Sequence, residues 1–406
     1  MEKDSENRWL LDVTQNDIWI SGTGYPYNLS RFLRRCVTCE STKTLIAKMN
    51  DAIPLIDAKI HVDPSDPKYM HIYQGIDTIV RRLIAKLADS NEYYKNTKLR
   101  KTGSTFSNTK VGLPHEADYM LELPDDERFK TDHRFFEEIE SITTTQAGEL
   151  IEGLEHWIIH GIKEHRCTGG CCLAMRYSST VSNEVGVTVD IVPVIIVKSS
   201  KLIDLKFTGE AERYLSRNLD ECIKQGDIYT RTRQRTEVDT GIIENRILKE
   251  LPGDKKRPFR VVKFFLQNTI DSRHVHPYFD SVGKTRVTLY GCKPHTSSYG
   301  LRSIFLNLLI QVHGTPAELL LNDGVLGVCL LDMLTQIDED YQRASQIGGS
   351  YPVPKHPLLE YQLIQYNMCF LDGILAQIRF ILQMDNIADM VDGIKLLNYP
   401  PVMKSD

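Results

Sequence analysis

Apolar side chains at Ile72, Ile76, Ile79, Val80, Leu83 and Leu87 recur every three or four residues, the spacing that lines one side of an α-helix. The stripe predicts a long helix over 69–94, set off from what precedes it by the turn-forming run Asp63-Pro64-Ser65-Asp66-Pro67. Further along, the period drops to two. Ala117, Tyr119, Leu121 and Leu123 alternate with Glu116, Asp118, Met120 and Glu122, so a strand over 116–123 buries the odd positions and turns both leading acids to one face. Val185, Val187, Val189 and Ile191 alternate with Glu184, Gly186, Thr188 and Asp190 ahead of an apolar run, which predicts a second strand over 187–197. A helix over 132–165 and a strand near 172–178 are expected between them. After residue 240 the spacing becomes helical, with apolar stripes over 301–312, 324–342, 357–383 and 387–397. The pattern predicts an α+β fold: an N-terminal extension (1–65) with a basic amphipathic stretch at 29–48, a mixed-sheet core (66–240) and a helical C-terminal lobe (241–406).

Candidate chemistry sits where the strand pattern meets the acids. Carboxylates two apart on a strand can share a hard cation such as Mg2+, which takes oxygen ligands and keeps positions for water and substrate phosphates. Ahead of them, Gly103 lets the backbone approach a phosphate and Ser104 adds a hydroxyl to the local amides. A surface turn followed by an amphipathic strand facing water produces the same letters, and for an isolated pair of acids that plainer reading stands first. Asp190 shifts the balance. A carboxylate inside a strongly apolar strand calls for a cation, a hydrogen-bond cluster or an exposed face. Three acids on two strands complete a site for two divalent ions of the kind that assist phosphoryl transfer.

The run from Gly103-Ser104-Thr105-Phe106 through Lys110-Val111-Gly112-Leu113-Pro114-His115 to Glu116-Ala117-Asp118 resembles the active-site segment of cyclic GMP-AMP synthase and the cGAS-like receptors. Further matches follow in that family's order: Val189-Asp190-Ile191-Val192-Pro193, Ile243-Glu244-Asn245-Arg246-Ile247-Leu248, Arg260-Val261-Val262-Lys263-Phe264-Phe265-Leu266 and Ser297-Ser298-Tyr299-Gly300-Leu301-Arg302, so that the resemblance spans about 68–400. The Ser-Ser-Tyr helix start is shared with the developmental Mab branch of the superfamily. What the resemblance implies is a bilobal nucleotidyltransferase fold, its mixed-sheet lobe and helical lobe joined by the long helix as a spine. It implies that Glu116, Asp118 and Asp190 hold two Mg2+ or Mn2+ ions and that Gly103 and Ser104 contact the donor triphosphate. Lys263 and Ser298 would be further phosphate contacts, Tyr299 would stack on a nucleobase, and Glu244 would line the acceptor pocket. Taken without the family, Lys263, Ser298 and Tyr299 read equally as a helix-surface lysine, a helix-capping serine and a half-buried aromatic. The implied activity joins two nucleoside triphosphates (ATP, GTP or UTP) into a cyclic dinucleotide messenger of innate immunity that acts on a STING-type receptor. Asp190 would help to deprotonate the attacking hydroxyl. Where the family places a base-reading arginine, this chain has Thr236-Glu237-Val238-Asp239, which leaves the bases open.

A net charge of −5 over 406 residues gives no global case for a nucleic-acid partner, so any basic surface is local. Arg81, Arg82, Lys86, Lys95, Lys98, Arg100 and Lys101 gather on the predicted spine helix and its exit loop, and Lys255, Lys256, Arg257 and Arg260 form a second cluster. Each alone reads as a solvated face; with the resemblance, they imply a phosphate-tracking surface for double-stranded nucleic acid. The zinc-binding thumb of the vertebrate synthase lies between the segments matching Glu244 and Lys263, and here that interval has neither cysteine nor histidine. Beside the resemblance, this tilts the expected trigger toward double-stranded RNA, or a different ligand altogether, over DNA. Nine cysteines, odd in number and scattered, fit reduced thiols. His165, Cys167, Cys171 and Cys172, with the pair Cys36 and Cys39, lack convincing zinc spacing, and zinc is not the expected cofactor. A polar opening and the lack of a membrane-length apolar run lead to the expectation of a cytoplasmic protein without a membrane partner. Two other functions fit the same residues: a catalytically silent Mab-type interaction or nucleotide-binding scaffold, and a template-independent transferase that lengthens RNA ends.

Overall fold

A computed structural model describes residues 40–124, 134–165, 169–178, 184–196, 228–231, 238–271, 298–312 and 358. Helices and a mixed sheet make the chain α+β. It divides into two compact units, each taken by itself below.

The sheet-bearing unit contains helix α2 (Pro67–Ser90), which starts where proline is tolerated: Pro67 occupies the first turn, and the Asp66 carboxylate caps it by accepting from the Lys68 N–H at 2.9 Å. The helix stops before Asn91, and a 3-10 turn (Glu92–Tyr94) completes the expected span. Its apolar stripe is buried in one cluster with Ala117, Tyr119, Leu121 and Leu123 of strand β2 (Glu116–Leu123) and Val187, Val189 and Ile191 of strand β5 (Glu184–Ile196). The period-two reading of both strands holds on this face. On the other face the polar alternation ends sooner than the sequence suggests. Met120 is covered by Val194 and Tyr229, and Glu122 is buried between Lys98 and Arg100.

Strands β1 (Lys98–Thr102), β3 (Trp157–His165) and β4 (Gly170–Ser178) complete the order β1-β2-β5-β4-β3, while β6 (Tyr229–Arg231) continues along the end of β5 and pairs with β7 (Val238–Asp239). Among the described residues, only β2 and β5 run parallel; the other pairs are antiparallel. Two expectations change here. The segment read as the spine helix's exit loop contains β1. The helix expected over 132–165 is α4 (Arg134–Thr145) with the one-turn helix α5 (Ala147–Leu150), after which the chain becomes β3. Left-handed backbone at Gly153 (φ 67°) and His156 (φ 73°) breaks the helical path, and the aromatic and β-branched run Trp157-Ile158-Ile159 then favours a strand.

The helical unit contains α1 (Glu40–Ile60), α7 (Arg257–Asp271) and α8 (Ser298–Val312). Part of the presumed extension is thus a packed helix, because Met49, Ile53, Ile56 and Ile60 are buried. Asp57 and Arg260 join α1 to α7 through two hydrogen bonds of 2.6 Å, and Phe259 stacks on Phe305 of α8. Helix α8 matches the expected 301–312; the stripes at 324–342 and 387–397, all of 357–383 except Leu358, and the stretch 29–39 lie outside the described residues.

Helix α2 meets β3 closely at Gly75, where a Cβ would lie 2.5 Å from the Trp157 indole nitrogen. Gly75→Ala should therefore destabilise the protein by about 1–3 kcal/mol in urea titrations, the usual cost of overpacking, despite alanine's better helix propensity.

Candidate metal centre

Strand register explains why three acids distant in sequence meet. Asp118 pairs directly with Asp190 across the parallel β2–β5 ladder, and Glu116 pairs with Thr188 two residues earlier. Residues paired across a ladder project to the same side, as do residues two apart on one strand. Ligand oxygens from Glu116, Asp118 and Asp190 accordingly lie within 4.8 Å of one another, on half-buried side chains. This is the one group of three or more potential metal-binding side chains among the described residues.

The donor set suits a hard divalent cation, since it offers only carboxylate oxygens. An octahedral Mg2+ site places opposite ligands roughly 4 Å apart. A spread of up to 4.8 Å thus fits one ion after a small side-chain rotation, or two ions sharing the acids. Charge makes the same point. Two carboxylates about 4.5 Å apart repel by about 4 kcal/mol at an effective dielectric of 20, so holding three together requires compensating positive charge or donors.

Some of that compensation is visible. Lys110 has no solvent exposure (0 %), and its ammonium donates to Glu116 Oε2 at 2.8 Å, while the Glu116 side chain is 39 % exposed. Cys172 of β4 pairs with Asp190 in the ladder. Burial first, then the Asp190 charge and hydrogen bond, pushes the Cys172 thiol well above its ordinary range, so it remains a protonated donor beside the carboxylate. The sequence marked neither as a partner of the acids: Lys110 lies in a loop without periodic pattern, and Cys172 drew notice only as a member of the His165-Cys167-Cys171-Cys172 zinc candidate.

Gly103 opens the short helix α3 (Gly103–Phe106) with φ 73°, and a Cβ there would fall 1.8 Å from Asp118 Oδ2. The glycine's role is therefore to let the turn sit against the acid. Ser104 is half-buried in the same turn, and its carbonyl accepts from the Thr109 N–H at 2.9 Å. Helix α6 (Gly241–Glu250) packs on α3 and β1, where Asn245 Nδ2 donates to Thr102 Oγ1. Glu244 on that helix is fully buried and accepts from Thr240 Oγ1 at 2.8 Å.

The remaining expected nucleotide contacts belong to the helical unit. Lys263 is a buried residue of α7 and not the surface lysine of the plainer reading, because its position falls on the helix's packed side between Val262 and Phe264. Ser298 and Tyr299 open α8; their side chains lie outside the described residues.

Internal partners occupy much of the first basic cluster. Arg81 and Lys101 pair with Asp77 at 2.9 and 3.1 Å, Lys98 and Arg100 with Glu122 at 3.6 and 3.1 Å, and Lys86 with Glu149. Arg82 donates to the carbonyls of Leu150 and Glu152 at 3.1 and 2.6 Å. Burial would raise the Asp77 pKa, yet hydrogen bonds from Arg81 and Lys101 outweigh it and hold Asp77 below its ordinary value. In the second cluster Lys255 is half-buried, and Arg257 lies 3.7 Å from Asp57. Lys256 differs from the surface cation expected: it is buried, and burial with repulsion from Arg260 lowers its pKa to about 8.

Cys171 and Cys172 face opposite sides of β4, Cys171 in the core with Ile191 and Cys172 beside Asp190, which removes a shared zinc site for this pair. Cys36, Cys39, Cys167 and the His165 side chain lie outside the described residues. No helix among the described residues is long and apolar enough to cross a membrane. Comparison of the chain with protein-family models gives no match, and comparison with curated proteins gives none.

Gly103 and Gly112 separate backbone strain from crowding. Both have positive φ, but a Cβ at Gly112 meets nothing within 4 Å. Gly103→Ala should weaken Mn2+ binding by roughly tenfold or more, the scale seen when ligand orientation is lost, whereas Gly112→Ala should leave Mn2+ affinity near that of the parent. Paramagnetic-resonance titration of free Mn2+ checks both.

Proposed function

We infer that this chain is a metal-dependent nucleotidyltransferase that joins two nucleoside triphosphates into a cyclic dinucleotide. The observation carrying this reading is the convergence of Glu116, Asp118 and Asp190 from two parallel strands on an accessible face beside the Gly103 turn. Glu116, Asp118 and Asp190 would hold Mg2+ or Mn2+, which when bound neutralises triphosphate charge and makes a ribose hydroxyl more acidic.

The chain's own residues supply the rest. Gly103 and Ser104 receive the donor triphosphate, the glycine because it adds no side chain against Asp118. Asp190 accepts the proton of the attacking hydroxyl, and the Cys172 hydrogen bond keeps that carboxylate oriented. A ribose oxygen attacks the α-phosphorus of the second triphosphate and pyrophosphate leaves; a repeat within the linear product closes the ring. Double-stranded RNA is the proposed trigger. Because the first basic cluster spends charge on Asp77, Glu122 and Glu149, RNA would have to engage these cations without fully displacing their acidic partners.

Incubation with the four common NTPs, Mg2+ or Mn2+, and double-stranded RNA or DNA should yield a phosphatase-resistant dinucleotide. Asp118→Asn with Asp190→Asn should lower its formation by roughly a hundredfold or more, the scale of losing one electrostatic stabiliser. Undiminished synthesis in that variant would remove the assignment. Nucleotide binding without product under every ligand would point to the scaffold reading, and lengthened RNA to an end-adding transferase.

A further inference from the structure

Lys110 stands apart from the family-derived assignments: a lysine without solvent exposure, on a loop, in direct contact with one of the three acids. Burying an ammonium is costly unless a carboxylate or several acceptors compensate. The compensation here is Glu116 Oε2 at 2.8 Å. A carboxylate has a second oxygen, so this contact does not by itself exclude coordination of a cation by Glu116.

The loop around Lys110 is tied down on both sides. The Lys110 carbonyl accepts from the Val62 N–H at 3.1 Å, and Val111 bridges His61. His61 and Asn108 share a 2.7 Å hydrogen bond. Toward the Gly103 turn, the Ser107 N–H donates to the Gly103 carbonyl and the Thr109 N–H to the Ser104 carbonyl. Thr105 Oγ1 closes the loop onto β2 by donating to the Glu116 carbonyl at 2.9 Å. Lys110 is therefore held in place by a network that also holds the proposed triphosphate turn.

We propose that Lys110 is a built-in counter-cation, a positioning residue that holds the carboxylate triad together when no metal is bound and thereby lowers the triad's affinity for divalent ions. The inference rests on the metal-site reading above. A fixed positive charge beside Glu116 stabilises the metal-free triad and opposes the arrival of a second cation. Its removal has two linked effects. The metal-free protein loses stability, and the metal-bound protein loses less, so ion binding tightens by the difference. A lysine that merely filled space would change stability without tightening the metal.

The test compares the parent with Lys110→Met, which keeps length and apolar stem while deleting the charge. Free Mn2+ is followed by paramagnetic resonance, and thermal melting is recorded with and without saturating Mn2+. Lys110→Met is expected to bind Mn2+ roughly tenfold tighter, the direction electrostatics requires, to melt lower without ion, and to recover most of that loss with Mn2+. Equal or weaker Mn2+ affinity in the variant, with binding intact in the parent, overturns the role of Lys110 alone. No Mn2+ binding by the parent overturns the metal site and this inference with it. Should Lys110→Met not fold without ion, Mn2+ is expected to restore its native near-ultraviolet circular dichroism, and failure to do so overturns the proposal.

Discussion

Three negative charges pressed within 4.8 Å of one another are the constraint around which the sheet-bearing unit is arranged. Repulsion between them would drive the side chains apart if the backbone allowed it. Two features prevent that. The parallel β2–β5 ladder places Asp118 and Asp190 on directly paired residues, and the buried stripe of α2 clamps the opposite face of both strands through Ala117, Tyr119, Val187, Val189 and Ile191. Packing on one side of the sheet thus sustains an electrostatically unfavourable cluster on the other, which is a common way for proteins to hold functional strain.

The surroundings of the cluster divide between relief and access. Lys110 meets Glu116 as a buried cation, and Cys172 meets Asp190 as a thiol kept protonated by burial and by that acid. Gly103 lets a bare backbone turn sit directly against Asp118, where a Cβ would fall 1.8 Å from Oδ2. An acid cluster with donors behind it and a bare backbone turn beside it suits a ligand bearing its own negative charge only when cations lie between the two.

Much of this was legible in the sequence, for a physical reason. Alternation with period two identifies the buried face of a strand wherever one side meets a core, so the shared orientation of Glu116 and Asp118 followed from spacing alone, and the α2 stripe was equally clear. Asp190 joined them through its strand pattern, but its pairing with Asp118 is a matter of long-range register that no local period encodes. The 132–165 segment misled because its first half is helical and its strand begins only after the left-handed residues Gly153 and His156. Charge was the least legible property. A run of lysines and arginines looks solvated in sequence, whereas Arg81, Lys98, Arg100 and Lys101 are tied to Asp77 and Glu122, Lys256 is buried, and Lys110 carries its charge into the interior beside Glu116.

Anomalous diffraction from crystals soaked with Mn2+ and a non-hydrolysable nucleoside triphosphate tests the central claim most directly. Manganese peaks bounded by Glu116, Asp118 and Asp190, with the triphosphate reaching the Gly103 turn, are expected. Manganese located elsewhere, or triphosphate bound while the three carboxylates remain unliganded, would contradict it.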